Sequence, residues 1–180
     1  VMGLDSEVLA EVLAQVTVGT VVIANDNCPG QLVISGDMDA VQSASAAASE
    51  KGAKRVLPLN VSGAFHSPLM EEPARQMGAA LAQAKFVAGN GPKVYSNVTT
   101  ESVTDHSSWP DLLERQLKSP VLWQRSIENM VRDGVTSFVE CGSGEVLVGL
   151  LKRIDRNAKG LRAVDPITLE TTVAELGGEA

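Results

Sequence analysis

"TVVIANDNCPGQLVISGD", residues 20–37, sets two β-branched runs on either side of Asn27-Cys28-Pro29-Gly30. Proline presets its own φ and glycine accepts the positive φ that the next turn position demands, so the two runs read as an antiparallel hairpin. Upstream, Asp5 and Ser6 can cap a helix whose apolar residues Val8, Leu9, Val12 and Leu13 recur at helical spacing. Downstream, Asp37 or Asp39 can start an alanine-rich helix that runs to Glu50 and closes at Gly52, after which "AKRVLPLNV", 53–61, returns as a strand. With the apolar stub at Val1 the order is β, α, β, β, α, β, the split βαβ arrangement called ferredoxin-like. The stub reads as a strand short of its first half, which suggests a fragment of a longer protein.

Past residue 61 the pattern changes. "SPLMEEPARQMGAALAQA", 67–84, predicts a long helix with Ser67 as cap and Pro68 at the tolerated first position, its early turns perturbed by Pro73. "PKVYSNV", 92–98, predicts a strand; "SWPDLLERQL", 108–117, and "LWQRSIENMVRDG", 122–134, predict helices. "VTSFVECGSG", 135–144, reads as a buried strand entering a glycine-rich turn, and "EVLVGLLKRI", 145–154, as the helix that follows. Alternating strands and helices imply a parallel sheet covered by helices. The expected fold class is α/β: a small antiparallel sheet with two helices over 1–60, then over 61–180 part of a parallel-sheet core holding the strands near 93–98 and 136–140.

Composition narrows the function. In 180 residues, 44% are hydrophobic and the net charge is -7, which predicts a soluble globular protein and argues against nucleic acid, whose non-specific binding needs a basic face. No apolar run approaches the ~20 residues that span a bilayer, so no membrane is expected. Cys28 and Cys141 lie far apart without metal-ligand spacing, which suits free thiols in a reducing cytoplasm and no metal site. "LKRIDRNAKGLR", 151–162, is a local basic run and reads as a solvated helix end.

The chemistry centres on "VSGAFHSPLM", 61–70, where His66 lies on a small-residue loop at a helix start. An unperturbed imidazole titrates near pH 6.5 and can take and return a proton near neutrality, so a catalytic base and a structural histidine are both open for His66. His106, in "TDHSSWP", sits among polar loop residues and reads as surface. In "ECGSGEV", 140–146, Ser143 lacks the glycine two positions before it that a nucleophile elbow requires. The same glycines match neither a dinucleotide nor a P-loop fingerprint, so a tight crossover is preferred to a phosphate site, and Cys141 reads as a small hydrophobe.

Several segments in order carry a resemblance. "NDNCPGQLVISGD", "GAKRVLPLNVSGAFHSPLM", "QLKSPVLW" and "FVECGSGEVLVGLLKRI" resemble, from near Val1 to about Ile154, the C-terminal part of the bacterial malonyl-CoA:acyl-carrier-protein transacylases. Ser143 stands where that family usually has proline, which touches a turn and no catalytic role. The resemblance implies an α/β-hydrolase-like core beside the ferredoxin-like unit, and ping-pong malonyl transfer from malonyl-CoA to acyl carrier protein through an acyl-serine, in fatty-acid biosynthesis, without a cofactor. It implies that His66 is the base, that the Gln116 main-chain carbonyl orients it, and that Phe65 is a pocket wall favouring malonyl over α-branched units. The family's GHSxGE serine, malonate-binding arginine and oxyanion-hole glutamine match no position here, so a missing N-terminal portion is expected to carry the nucleophile. The competing expectation is a non-catalytic ferredoxin-like module that binds a protein partner.

Overall fold

The computed structural model of the protein describes residues 1–87 and 91–177. It divides into two compact units, Val1–Ser126 and Ile127–Ala180.

In the first unit, helix α1 (Ser6–Ala14) precedes strands β1 (Val21–Cys28) and β2 (Gln31–Gly36), which pair antiparallel across the Pro29-Gly30 turn. Gly30 has φ +68, the left-handed value that turn position needs, and a Cβ at Gly36 would overlap the Thr20 carbonyl. Helix α2 (Met38–Glu50) buries Ala40, Ala44 and Ala48, one residue per turn. Leu4, Leu9, Val12, Leu32 and Ala48 form the core, with Ile23, Ile34 and Val56 packed against it. Neither Asp5 nor Asp37 caps its helix through its side chain; the Asp37 carboxylate accepts instead from the Thr20 N–H at 2.7 Å, tying the two ends of the hairpin together.

The strand expected over 53–61 does not form. Only Arg55 is bridged, to Met2, which also bridges Gln31. Pro58 cannot donate to a ladder, and Leu57, Leu59 and Val61 are exposed, so the segment has strand-like alternation without a partner among the described residues. The third strand of this sheet is instead β5 (Val121–Leu122), parallel to β1 through Asn25 and Asp26, its second residue being the first of the helix expected over 122–134.

The helix expected over 67–84 is divided. A 3₁₀ turn, Pro68–Met70, leads into α3 (Glu71–Leu81), because Pro73 has no N–H to offer the Leu69 carbonyl four residues back. Helix α4 (Trp109–Lys118) packs on α3, and a Cβ at Gly78 would overlap the Glu114 carboxylate, so glycine permits the close approach. Strand β3 is shorter than its sequence suggests, Val94–Tyr95, and pairs antiparallel with β4 (Ser102–Val103).

Helix α5 (Trp123–Arg132) leads into the second unit, where β6 (Ser137–Cys141) pairs in parallel with β7 (Lys159–Ala163) across α6 (Val146–Ile154). Two expectations are corrected. The strands near 93–98 and 136–140 belong to separate two-stranded ladders, and β6, with a single neighbouring strand, is half-exposed rather than buried. The basic run 151–162 is a solvated helix end only in its first part, where Lys152 and Arg153 are exposed in the last turn of α6; Lys159 and Arg162 lie on β7 and pair with Glu175 and Glu145. Helix α7 (Pro166–Glu175) closes the unit, with Asp165 and Thr168 forming a capping box. Among the described residues no helix is long and apolar enough to cross a membrane.

Candidate active site

The sequence Gln116-Leu117-Lys118-Ser119-Pro120 decides where α4 stops and what its end can do. The last carbonyls of any helix lack intrahelical partners, and the residue four positions after Gln116 is a proline, which has no N–H to give. Ser119 is accordingly extended, with φ -109 and ψ 151, and the Gln116 and Leu117 carbonyls are left as acceptors.

His66 takes both. Its backbone N–H donates to the Leu117 carbonyl at 3.0 Å, and its ring Nδ1 lies 3.0 Å from the Gln116 carbonyl oxygen. A carbonyl can only accept, so Nδ1 carries a proton, and in the neutral ring this leaves the lone pair on Nε2; among the described residues nothing hydrogen-bonds to Nε2. His66 reaches both acceptors from a left-handed backbone, φ +58, a conformation that costs a residue with a Cβ about 1–2 kcal/mol. The small residues Ser62, Gly63 and Ala64 let the chain turn tightly before it, and the fully buried Ser67 follows. The Ser67 hydroxyl donates to the Ala64 carbonyl at 2.6 Å and accepts from the Leu69 N–H at 3.3 Å.

Around this point the charged ends of two helices meet. Lys118, last in α4, reaches both oxygens of Glu71, first in α3, at 2.7 and 2.8 Å, each charge lying at the helix end whose dipole favours it. Hydrogen bonds from Arg75, and then from Gln76, pull the Glu72 carboxyl down to about 2, so it too stays anionic at the start of α3. An open depression of about 280 Å³ lies between α3 and α4, lined by His66, Met77, Leu81, Leu113, Gln116 and Leu117. Apart from His66 and Gln116, its lining side chains are apolar.

The structure thus brings His66 and Gln116 together and leaves Phe65 apart from the depression. The Phe65 ring is 47% exposed and its edge lies near Gly63. His106 is exposed, in the 3₁₀ turn His106–Ser108. Ser143 and Cys141 are exposed in the second unit, Cys28 is buried, and neither cysteine forms a disulfide. Beyond the glycine-rich turn after β6, the Glu140 carboxylate accepts from the Leu147 and Val148 N–H groups at 3.1 and 2.9 Å, so two of the amides at the start of α6 are already engaged. Among the described residues no group of three His, Cys, Asp or Glu side chains could hold a metal ion. Sequence reasoning missed Leu117 and Lys118, although the proline four residues after Gln116 is a signal that carbonyls are freed at that helix end.

In this α/β protein one imidazole is held through Nδ1 by a helix's terminal carbonyl, which leaves the other ring nitrogen as the one able to exchange a proton. The family model of the acyl transferase domain matches residues 3–172, and the chain belongs to that family. The malonyl CoA-acyl carrier protein transacylase of Bacillus subtilis is 41% identical over 181 residues, covering 99% of this chain and 57% of its own length. Among solved structures, the acyl carrier protein S-malonyltransferase of Vibrio cholerae is 39% identical with a TM-score of 0.91, over 95% of this chain and 56% of that one. A malonyl-transacylase in complex with a type II PKS acyl-carrier protein is 34% identical with a TM-score of 0.94, over 97% and 57%. The chain therefore spans a little over half the length of the relatives it matches.

Proposed function

We propose that this chain supplies the general base and part of the acyl pocket of an enzyme that moves a malonyl group from malonyl-CoA to the phosphopantetheine thiol of an acyl carrier protein, in fatty-acid biosynthesis. The observation that carries the reading is the 3.0 Å contact between His66 Nδ1 and the Gln116 carbonyl, which leaves Nε2 as the basic atom. A carboxylate plays this orienting part in a Ser-His-Asp triad; here a main-chain carbonyl does. The nucleophilic serine comes from a segment outside these 180 residues. As its Oγ attacks the thioester carbonyl, Nε2 takes its proton; as the C–S bond breaks, the imidazolium returns that proton to the departing CoA thiolate. In the second half the phosphopantetheine thiol attacks the acyl-serine, gives its proton to Nε2, and the serine oxygen leaves with that proton. The Phe65 ring limits the space beside the malonyl α-carbon.

The names of the relatives support this reaction and these partners. On the same reading residues 1–60 are the ferredoxin-like unit and 61–180 the C-terminal part of an α/β-hydrolase-like core. Met2 lying between Gln31 and Arg55, beside the β1–β2 hairpin and with α1 and α2 as the two helices, supports the first of these. Two free thiols suit the cytoplasm, and a charge of -7 suits neither nucleic acid nor an anionic membrane.

In the complete protein, His66→Ala is expected to lower transfer of radiolabelled malonyl to acyl carrier protein by about 10²-fold or more, with an unchanged fold by circular dichroism. Near-parental turnover in a folded His66→Ala protein would remove His66 from the mechanism.

A further inference from the structure

A histidine side chain on a left-handed backbone does not stay there unaided, and it is from this backbone, φ +58, that His66 meets the two α4 carbonyls. Something must set that backbone before the carbonyls can hold the ring. The residue in place to do so is Ser67, wholly buried and next in the chain.

We propose that Ser67 is the positioning residue for His66: its hydroxyl spans the turn from the Ala64 carbonyl to the Leu69 N–H and locks the His66 backbone in the conformation that presents Nδ1–H to Gln116. A hydroxyl has one proton to give and lone pairs to accept with, and both capacities are used here, one on each side of His66. A helix cap alone needs only the second. That cap bond, at 3.3 Å, is the longer of the two, whereas the donation back to Ala64, three residues earlier, is 2.6 Å. The shorter bond therefore closes the loop that contains His66, not the helix that follows. Removing the hydroxyl leaves the half-buried Ala64 carbonyl without its donor, and a backbone freed to relax to negative φ carries the imidazole away from Gln116. The proposal rests on His66 being the proton-transfer group, but its geometry is read separately from catalysis.

The test is ¹⁵N NMR on the complete protein and on Ser67→Ala, with malonyl transfer measured alongside. In the parent, His66 is expected to show the Nδ1–H tautomer alone. In Ser67→Ala the ring nitrogens should shift toward averaged tautomers and the His66 amide should exchange about 10-fold faster, while the Leu9 and Val12 amides exchange as in the parent. The kcat should fall with KM for malonyl-CoA unchanged. Ser67→Cys, similar in volume with a weaker donor, should lie between the two. Parental tautomer and parental His66 protection in either folded variant would overturn the proposal. So would failure of both variants to fold, because Ser67 would then serve the fold as a whole. Tautomer loss with undiminished transfer would support the positioning role and overturn instead the assignment of His66 as base.

Discussion

Two small-residue turns in this protein, Ser62–Ser67 and Gly142–Glu145, look alike in sequence and end in opposite chemical states. The first is held from outside: α4 lends two carbonyls, the ring is fixed through Nδ1, and Nε2 is left open. At the second, the Glu140 carboxylate accepts from the Leu147 and Val148 amides at the start of α6, and the Gly142 N–H donates to the Ala163 carbonyl. A turn becomes reactive when its anchoring bonds engage every atom except the one that reacts, and becomes inert when they engage the reactive donors themselves. Function is expected to be sensitive at the first turn and stability at the second.

That contrast can be broken at several points. Phe65→Ser in the complete protein should raise the methylmalonyl-to-malonyl rate ratio by about 10-fold, the lower end of what one methyl group is worth in a pocket, without a change in melting temperature. An unchanged ratio would mean that the half-exposed ring only packs its loop. At the second turn the roles reverse. Glu140→Ala should cost about 1 kcal/mol in denaturant unfolding and speed exchange at Leu147 and Val148, while malonyl transfer by the folded fraction stays within twofold. Loss of transfer in that variant would place chemistry in the glycine-rich turn. The smallest effect is expected at Lys118→Ala. Its partner Glu71 is largely exposed, so the ion pair contributes no more than about 1 kcal/mol, and 0.5 M salt should remove most of the difference between variant and parent.

Much of the local structure was legible because local rules set it. The Pro29-Gly30 hairpin, α1, α2, α4 and α6 lie where apolar spacing, turn residues and proline positions put them. Strand pairing was not. Arg55 to Val61 has the alternation of a strand but makes one bridge, and Val121–Leu122, next to a helix-like run, joins β1. A strand exists only when another segment supplies the other half of its hydrogen bonds, and a neighbour about 95 residues away leaves no periodic mark. The later part of the basic run 151–162 departed for the same reason, since Lys159–Ala163 becomes a strand by pairing with β6, while Lys152 and Arg153 end α6 as read.

By itself the sequence determined the pieces of the site: a histidine on a small-residue loop, a serine after it, and a helix whose proline at position 120 must leave the Gln116 carbonyl unpaired. These are consequences of covalent structure, since proline has no N–H wherever it folds. Only the tertiary structure decided that the freed carbonyls of α4 meet His66 across 50 residues of chain, that its φ is +58, and that Nδ1 rather than Nε2 is engaged. Tautomer and backbone sign are set by which acceptor lies within 3 Å of which nitrogen, and that distance is a property of packed elements, not of any stretch of residues.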